Sequence, residues 1–147
     1  MEMHVRRRLL LSLLILPSLL AVMPARAQEA AELRWTRIGK ADLERFESSA
    51  GNVRVNNLVV EREKDADAAG PATPFEFSAS VANRSPDKVR VYLQLIGIKG
   101  DGTPTLSCDT YVDVDSRRNE SVRETFRAPP GVIEDTAAYF IRALAVP

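Results

Sequence analysis

Residues 88–115 read KVRVYLQLIGIKGDGTPTLSCDTYVDVD and carry the clearest strand pattern of the sequence. Apolar residues alternate with polar or aromatic ones in its first part and again after residue 105, which is the period-2 pattern of β-strands. Between the two parts lies Gly100-Asp101-Gly102, and glycine and aspartate are residues that favour tight turns. The stretch therefore predicts a β-hairpin formed by residues 88–98 and 105–115.

One register of this hairpin gathers apolar residues on one face and opposite charges on the other. In this register the numbers of paired residues sum to 203, so Val91 lies opposite Val112 and Arg90 lies opposite Asp113. Opposite charges and aromatic neighbours favour such cross-strand pairs, and a slip by one residue would turn the valines outward. The register also pairs Val89 with Val114, Leu93 with Thr110, Leu95 with Cys108, Lys88 with Asp115 and Tyr92 with Tyr111.

Short alternating segments separated by turn residues extend on both sides of the hairpin. Residues 28–48 are interpreted as an N-terminal strand or a short helical segment, while residues 49–147 carry most of the strand pattern. Strands at this spacing with little helix predict an all-β fold, a single antiparallel immunoglobulin-like β-sandwich of about seven strands. A small barrel is the alternative architecture. The other predicted strands are residues 53–60, 75–82, 121–127 and 137–146.

The first 27 residues have the three-part pattern of a secretory signal peptide. Arg6-Arg7-Arg8 gives a positive start, residues 9–22 are almost wholly apolar, and Ala25-Arg26-Ala27 places small residues before a cleavage site. We expect cleavage between Ala27 and Gln28 and a periplasmic or secreted location in a bacterium. A membrane anchor is the alternative, but an apolar run of about 14 residues is shorter than the roughly 20 that a spanning helix needs. We therefore expect no stable membrane span after cleavage.

The composition of the remaining 120 residues excludes several kinds of catalytic and metal-binding site. The chain has 147 residues with one His and one Cys, and the histidine is His4 in the leader. Without a histidine, Ser-His-Asp and Cys-His catalysis and histidine-rich zinc sites are excluded. Residues 28–147 hold 16 basic and 19 acidic residues, a net charge of −3. This composition lacks the excess of positive charge that is typical of proteins that bind nucleic acid. We expect no catalytic residues, no metal, no cofactor and no nucleic-acid partner.

Two further features have alternative interpretations. Asp109, Asp113 and Asp115 resemble a calcium cluster, but the register of the hairpin already gives two of them basic partners, so we expect no metal site there. Cys108 falls on the inward face of its strand and is interpreted as a buried, inert thiol. An intermolecular disulfide is the alternative for this cysteine, because an export compartment is oxidising.

The outer face of the hairpin is the candidate binding surface. Tyr92, Tyr111, Ile96 and Ile98 all fall opposite the core face, although the outer face of an antiparallel sandwich is normally polar. Exposed aromatic and apolar clusters often mark interaction sites. Either residues 30–47, which include Trp35, fold over this face, or the face binds a partner.

The segment from residue 75 to residue 127 resembles bacterial extracytoplasmic immunoglobulin-like modules of the FxLYD kind. The likeness rests on FEFSASVAN at residues 75–83, VRVYLQL at residues 89–95, the Gly-Asp-Gly turn and Val112-Asp113-Val114. It departs from the family where this chain has Ile96-Gly97-Ile98 instead of a tyrosine-aspartate step. The resemblance implies a β-sandwich fold and no catalytic residues.

These observations predict a non-enzymatic exported module that binds a protein partner in the periplasm or cell envelope. An assembly factor, a chaperone or an envelope accessory protein fits this description. Binding would use the aromatic sheet face or an exposed edge strand, for which the last strand, residues 137–146, is one candidate. The alternative is a carbohydrate-binding module of the cell envelope that stacks glycan on Tyr92, Tyr111 and Trp35.

Overall fold

The computed structural model describes residues 31–63 and 71–147, so the predicted leader, residues 1–27, lies outside the described part of the chain. Strands dominate it, with one 3₁₀ helix and one short α-helix. The elements in chain order are β1 (Ala31–Gly39), the 3₁₀ helix (Lys40–Arg45), β2 (Glu47–Ala50), β3 (Val53–Arg62), β4 (Thr73–Asn83), β5 (Val89–Ile98), β6 (Pro104–Val114), β7 (Asn119–Ala128), α1 (Val132–Asp135) and β8 (Ala138–Val146).

The eight strands form two antiparallel four-stranded sheets, which confirms the predicted all-β sandwich. The first sheet has the order β1-β8-β5-β6 and the second has the order β2-β3-β4-β7. This order differs from the A-B-E-D and C-F-G arrangement of immunoglobulin constant domains, so the likeness to those domains is one of two-sheet architecture. Each strand from β3 to β6 contributes alternate side chains to the core between the sheets. The largest fully buried apolar side chains are Tyr139, Phe75, Phe77, Leu58, Leu93, Leu95, Ile141, Val81, Val91 and Val114.

The predicted hairpin register is confirmed. Pairs from Val89–Val114 to Gly97–Leu106 all follow the predicted sum of 203, and the register shifts only where Ile98 meets Pro104. Apolar and charged pairs alternate between the two faces of the hairpin. Val91 and its partner Val112 face the core, while the charged pair Arg90–Asp113 faces outward.

The N-terminal segment does not fold over the outer face of the hairpin. Residues 31–39 form β1, which pairs antiparallel with β8 and so lies at the edge of the same sheet. Backbone pairing with a neighbouring strand satisfies the polar groups of this segment better than lying flat on a sheet face would. The predicted helical turn is present at Lys40–Arg45, where Leu43 is buried in the core. Of the two alternatives for this surface, the one in which residues 30–47 cover Tyr92 and Tyr111 is therefore wrong for the described part of that segment.

The proposal that the last strand is an exposed edge is also wrong. β8 pairs with β1 on one side and with β5 on the other, so it lies in the interior of its sheet. Its sequence AYFIRALAV is apolar apart from Arg142, whereas an exposed edge strand usually carries charges or proline. The edges of the first sheet are β1 and β6, and those of the second are β2 and β7.

A buried asparagine ties the turn after β4 to the end of β6. Asn83 is fully buried, and its Nδ2 donates to the backbone oxygens of Asp87, Val114 and Asp115 at 2.7, 3.2 and 3.2 Å. Its Oδ1 accepts from the backbone N–H of Ser85 at 2.9 Å and from the Ser85 hydroxyl at 2.7 Å. Because both ends of the buried amide are hydrogen-bonded, these bonds offset the cost of removing it from water, and the side chain links the two sheets.

Candidate interaction surface

The outer face of the β1-β8-β5-β6 sheet carries a cluster of apolar side chains, which we call the tyrosine face. Its members alternate with core residues along β5, β6 and β8, and cross-strand pairing brings them into two neighbouring rows. One row runs across the sheet as Leu144, Tyr92 and Tyr111, and the other as Phe140 and Ile96.

Tyr92 and Tyr111 form the exposed centre of the tyrosine face. They lie directly opposite each other, with ring centroids 5.9 Å apart and an angle of 43° between the ring planes. Tyr92 is 40% exposed and Tyr111 is 56% exposed, while their row neighbour Leu144 is half-buried. About half of each tyrosine therefore remains available for contact with another molecule.

Charged neighbours hold Tyr111 in place. The Arg90 guanidinium lies 4.8 Å from the centre of the Tyr111 ring and donates two hydrogen bonds, of 2.7 and 3.0 Å, to the carboxylate of Asp113. These hydrogen bonds raise the pKa of Arg90 above its ordinary value and lower the pKa of Asp113. Lys88 adds weaker ion pairs to Asp113 and Asp115 at 3.7 and 3.8 Å. One face of the Tyr111 ring is therefore occupied by a cation whose charge is already balanced.

A polar row separates the two apolar rows. It contains Arg142, Gln94 and Asp109, and together with Tyr92 and Leu144 these residues line a shallow depression of about 310 Å³. The sheet backbone forms the floor of this depression. The tyrosine face is thus an amphipathic surface with polar groups at its middle and apolar side chains on both sides.

Arg142, in the polar row, has an ion-pair partner but leaves one of its hydrogen-bond donors without an acceptor among the described residues. Its Nε lies 3.0 Å from Oε1 of Glu32 on β1, yet the direction of the N–H bond does not point at that oxygen, and the buried Nε has no hydrogen bond within the described part of the chain. We therefore regard the Arg142–Glu32 contact as an ion pair without a hydrogen bond.

Two of the residues predicted for this surface are placed differently from Tyr92 and Tyr111. Ile98 follows the irregularity in the hairpin and is only 8% exposed, so it contributes little to an accessible surface. Trp35 is 44% exposed and lies in a bulge of β1, between the pairs Leu33–Ala143 and Thr36–Ile141. Since β8 and β5 separate β1 from β6, Trp35 lies at least about 14 Å from Tyr111 and does not join the tyrosine pair.

Leu144 and Phe140 belong to the tyrosine face but were not singled out from the sequence. The apolar run of β8 hides which residues face outward. Arg142 was the available signal, because a charged residue in such a run marks the outward parity and places its neighbours at i±2 on the same face.

The outer face of the second sheet is polar by comparison. The large apolar residues that are exposed in the described ranges are Trp35, Tyr92 and Tyr111, and all three belong to the first sheet. On the second sheet the pair Ser80–Ser121 occupies the outward position, flanked by the ion pair of Arg123 with Glu76. The asymmetry between the two outer faces therefore singles out the tyrosine face.

The three aspartates near the hairpin do not converge on one point. Asp113 and Asp115 face basic side chains, and Asp109 lies in the polar row beside Gln94. Within residues 31–63 and 71–147 no group of three or more potential metal ligands occurs. The same ranges contain no helix with the length and apolar character needed to cross a membrane.

Cys108 is buried at 3% exposure, and burial raises the pKa of its thiol to about 12. Asp109 beside it raises the pKa further through its negative charge. A thiol that stays protonated and inaccessible does not attack disulfides, so the buried interpretation of Cys108 is supported over an intermolecular disulfide.

Comparison with known proteins gives only distant structural likenesses. No family model matches the chain, and no curated protein sequence matches it. A DUF1425 family member from Shewanella sp. pv-4 superposes with a TM-score of 0.39 at 9% identity over 69% of this chain and 86% of that one. The trimeric lipoprotein SadB of Salmonella enterica superposes with a TM-score of 0.45 at 13% identity over 73% of this chain and 59% of the lipoprotein. Similarity this low assigns neither a family nor a function.

Proposed function

We propose that this protein is an exported, non-enzymatic module that binds a protein partner through the tyrosine face. The observation that carries the proposal is the asymmetry of the sandwich, since one outer face is polar and the other presents an accessible tyrosine pair beside Leu144. Exposed tyrosines surrounded by apolar neighbours are typical anchors of protein interfaces. The polar row through Gln94 supplies the hydrogen-bonding groups that fix the orientation of a bound partner.

Export is part of the proposal and rests on the leader pattern of residues 1–27. The partner is therefore expected in the periplasm or cell envelope, or outside the cell, where an assembly factor, chaperone or accessory protein acts. The absence of histidine from residues 28–147 and the protonated state of Cys108 support a binding role over a catalytic one.

A protein partner is favoured over glycan by the geometry of the tyrosine pair. Sugar rings stack on flat, open aromatic faces, whereas Tyr92 and Tyr111 are tilted by 43° and Arg90 occupies one face of Tyr111. Trp35 lies too far away to extend the pair into a platform. Carbohydrate binding remains the alternative function and is separated from protein binding below.

Crosslinked capture from periplasmic extract tests the proposal. Tagged wild-type protein is compared with a Tyr92→Ser/Tyr111→Ser variant and with a Ser80→Ala/Ser121→Ala control, which changes the corresponding cross-strand pair on the polar sheet. We expect a specific partner with the wild type and the control, and its loss with the tyrosine variant. Retention of the same partner by the tyrosine variant would contradict the proposal.

Titration with soluble cell-wall glycan fragments separates the alternative. The protein-partner proposal predicts no saturable heat of binding with glycan for the wild type. Saturable binding that disappears in the Tyr92→Ser/Tyr111→Ser variant would establish the carbohydrate-binding function instead.

A further inference from the structure

The four edge strands of the sandwich differ in how well they resist pairing with a further strand. β1 is bulged between Leu33 and Thr36, β2 has only four residues, and β7 carries Glu120 and Glu124 at positions opposite core residues of β4. Bulges, short length and inward charges are the usual means of blocking an edge. β6 has none of them between residues 106 and 114, because its pairing with β5 is regular there and its core-side residues carry no charge; its register shift lies at the start of the strand, next to Pro104.

The core beneath β6 is incompletely covered. Thr110 and Val112 point to the core side of the sheet but are only half-buried, whereas their partners Leu93 and Val91 on β5 are fully buried. Within the described ranges β6 pairs with β5 alone. A strand added to the β6 edge would pair its free backbone groups and complete the burial of these two side chains.

We propose that this added strand is β6 of a second copy of the chain. The two strands pair antiparallel around a two-fold axis at Thr110, which joins two four-stranded sheets into one eight-stranded sheet. Pairing at the β6 edge does not depend on what the tyrosine face binds.

Charge and side-chain parity select the register. The core-side residues of both copies must point the same way, so only registers centred on a single residue of β6 are allowed. Three of these registers set Asp109 against an aspartate of the second copy. Its partner is Asp109 when the axis lies at Asp109, Asp113 when the axis lies at Tyr111, and Asp115 when the axis lies at Val112. Like charges directly opposite are destabilising. Centring on Cys108 forces the pairing into the irregularity at Thr105.

The register centred on Thr110 avoids these conflicts and uses the whole regular part of β6. It sets Thr110 against itself, Asp109 against Tyr111 of the second copy, and Asp113 against Ser107 of the second copy. On the core side it sets Val112 against the apolar Cys108. Threonine pairs and apolar pairs are favourable cross-strand neighbours, so β6 is self-complementary in this register.

Dimerisation in this register also extends the tyrosine face. The two Tyr111 rings become diagonal neighbours across the axis, within the reach of aromatic side chains, and the two Asp109 carboxylates become diagonal neighbours too, at a separation larger than that of a directly opposite pair. Each ring already contacts Tyr92 of its own copy, at 5.9 Å between centroids. Four tyrosines then form one continuous patch across the two-fold axis.

Sedimentation equilibrium of the purified protein tests the dimer. We expect the wild type to be dimeric and Ser107→Asp to raise the dissociation constant about tenfold, since this change sets two new aspartates against the two copies of Asp113. Ser107 is exposed, so the fold tolerates the substitution. Ser121→Asp, an equally exposed change on β7, is the control and leaves the dimer intact. A wild type that stays monomeric at every soluble concentration, or a dimer that Ser107→Asp does not weaken, would overturn the proposal.

A disulfide trap tests the register. Thr110→Cys places two thiols directly opposite each other at the axis, within the separation that a disulfide spans. We expect rapid formation of a covalent dimer with Thr110→Cys and little with Ser107→Cys on the same strand, because residue 107 lies three positions from the axis in each copy. Equal crosslinking of the two variants, or none with Thr110→Cys, would contradict pairing around Thr110.

Discussion

At the scale of single residues, Asn83 has more influence on the fold than its place in a turn suggests. Its side chain donates to the backbone oxygens of Val114 and Asp115 at the end of β6 and also accepts from Ser85. The sequence marks residues 83–87 only as a turn, because Val114 and Asp115 lie more than 30 positions away from Asn83. A local pattern cannot reveal such long-range hydrogen bonds.

Replacing Asn83 with alanine is predicted to lower the free energy of unfolding by about 3 kcal/mol. The change leaves several buried backbone groups without partners, and each unsatisfied group costs about 1–3 kcal/mol. Urea unfolding followed by circular dichroism measures the difference. Asn119→Ala, at an exposed position, is the control and shifts stability by less than about 0.5 kcal/mol. Equal effects of the two variants would show that the Asn83 hydrogen bonds contribute little.

Burial of two ionisable core groups predicts a loss of stability in alkali. The pKa of Cys108 rises from 9.0 to about 12, and the pKa of Tyr139 rises from 10.0 to about 12, because burial disfavours their charged forms. The unfolded chain then loses these protons at lower pH than the folded chain does. The stability that the protonated groups contribute is complete below pH 9 and is lost as the pH rises towards 12.

The Cys108→Ala variant isolates the thiol part of this effect. Its free energy of unfolding should fall less steeply between pH 9 and 12 than that of the wild type, although its stability at neutral pH is lower because a buried group is removed. Chemical unfolding at a series of pH values measures both slopes. Parallel slopes for the two proteins would mean that the thiol of Cys108 ionises in the folded state as readily as in the unfolded state.

At the scale of elements, the hairpin of β5 and β6 is predictable and the ends of the chain are less so. Both hairpin strands alternate cleanly, and the facing charges of Arg90 and Asp113 select the register. β2 has four residues, which is too few for a periodic signal, and β8 is apolar on both faces, so that its central place in the sheet is not marked by alternation. Pairing with β1 depends on contacts between the two ends of the chain.

Gly97 interrupts the alternation of β5 for a steric reason. A Cβ at this position would lie 2.6 Å from Oγ1 of Thr105, 3.0 Å from Leu106 and 3.1 Å from Thr136. Thr105 and Thr136 are themselves joined by a hydrogen bond of 2.6 Å between their hydroxyls. The missing side chain therefore lets the start of β6 and the segment after α1 approach the strand.

Gly97→Ala is predicted to destabilise the fold by about 2 kcal/mol, because the added methyl overpacks a tight contact. Gly100→Ala is the matched control, since nothing lies within 4 Å of a Cβ built there. Thermal unfolding of both variants measures the contrast. If Gly97→Ala is as stable as Gly100→Ala, the contact does not constrain the strand.

At the scale of the whole molecule, the two sheets have different outer faces, one polar and one with exposed tyrosines. The alternation of the hairpin sequence predicts that Tyr92 and Tyr111 face outward, and both are exposed in the structure. Their neighbours Leu144 and Phe140 come from a strand more than 25 positions further along the chain, so the extent of the surface depends on the tertiary pairing of β5 with β8. Sequence patterns could therefore predict the centre of the candidate surface but not its border.

Site-specific photo-crosslinking in the living cell shows which outer face of the sandwich contacts a partner. A photoreactive phenylalanine analogue replaces Gln94, at the middle of the tyrosine face, or Ser80, at the middle of the polar outer face of the second sheet. We expect a discrete crosslinked product with a partner protein from position 94 and none from position 80. Products of equal yield from both positions, or a product from position 80 alone, would contradict the assignment of the tyrosine face as the binding surface.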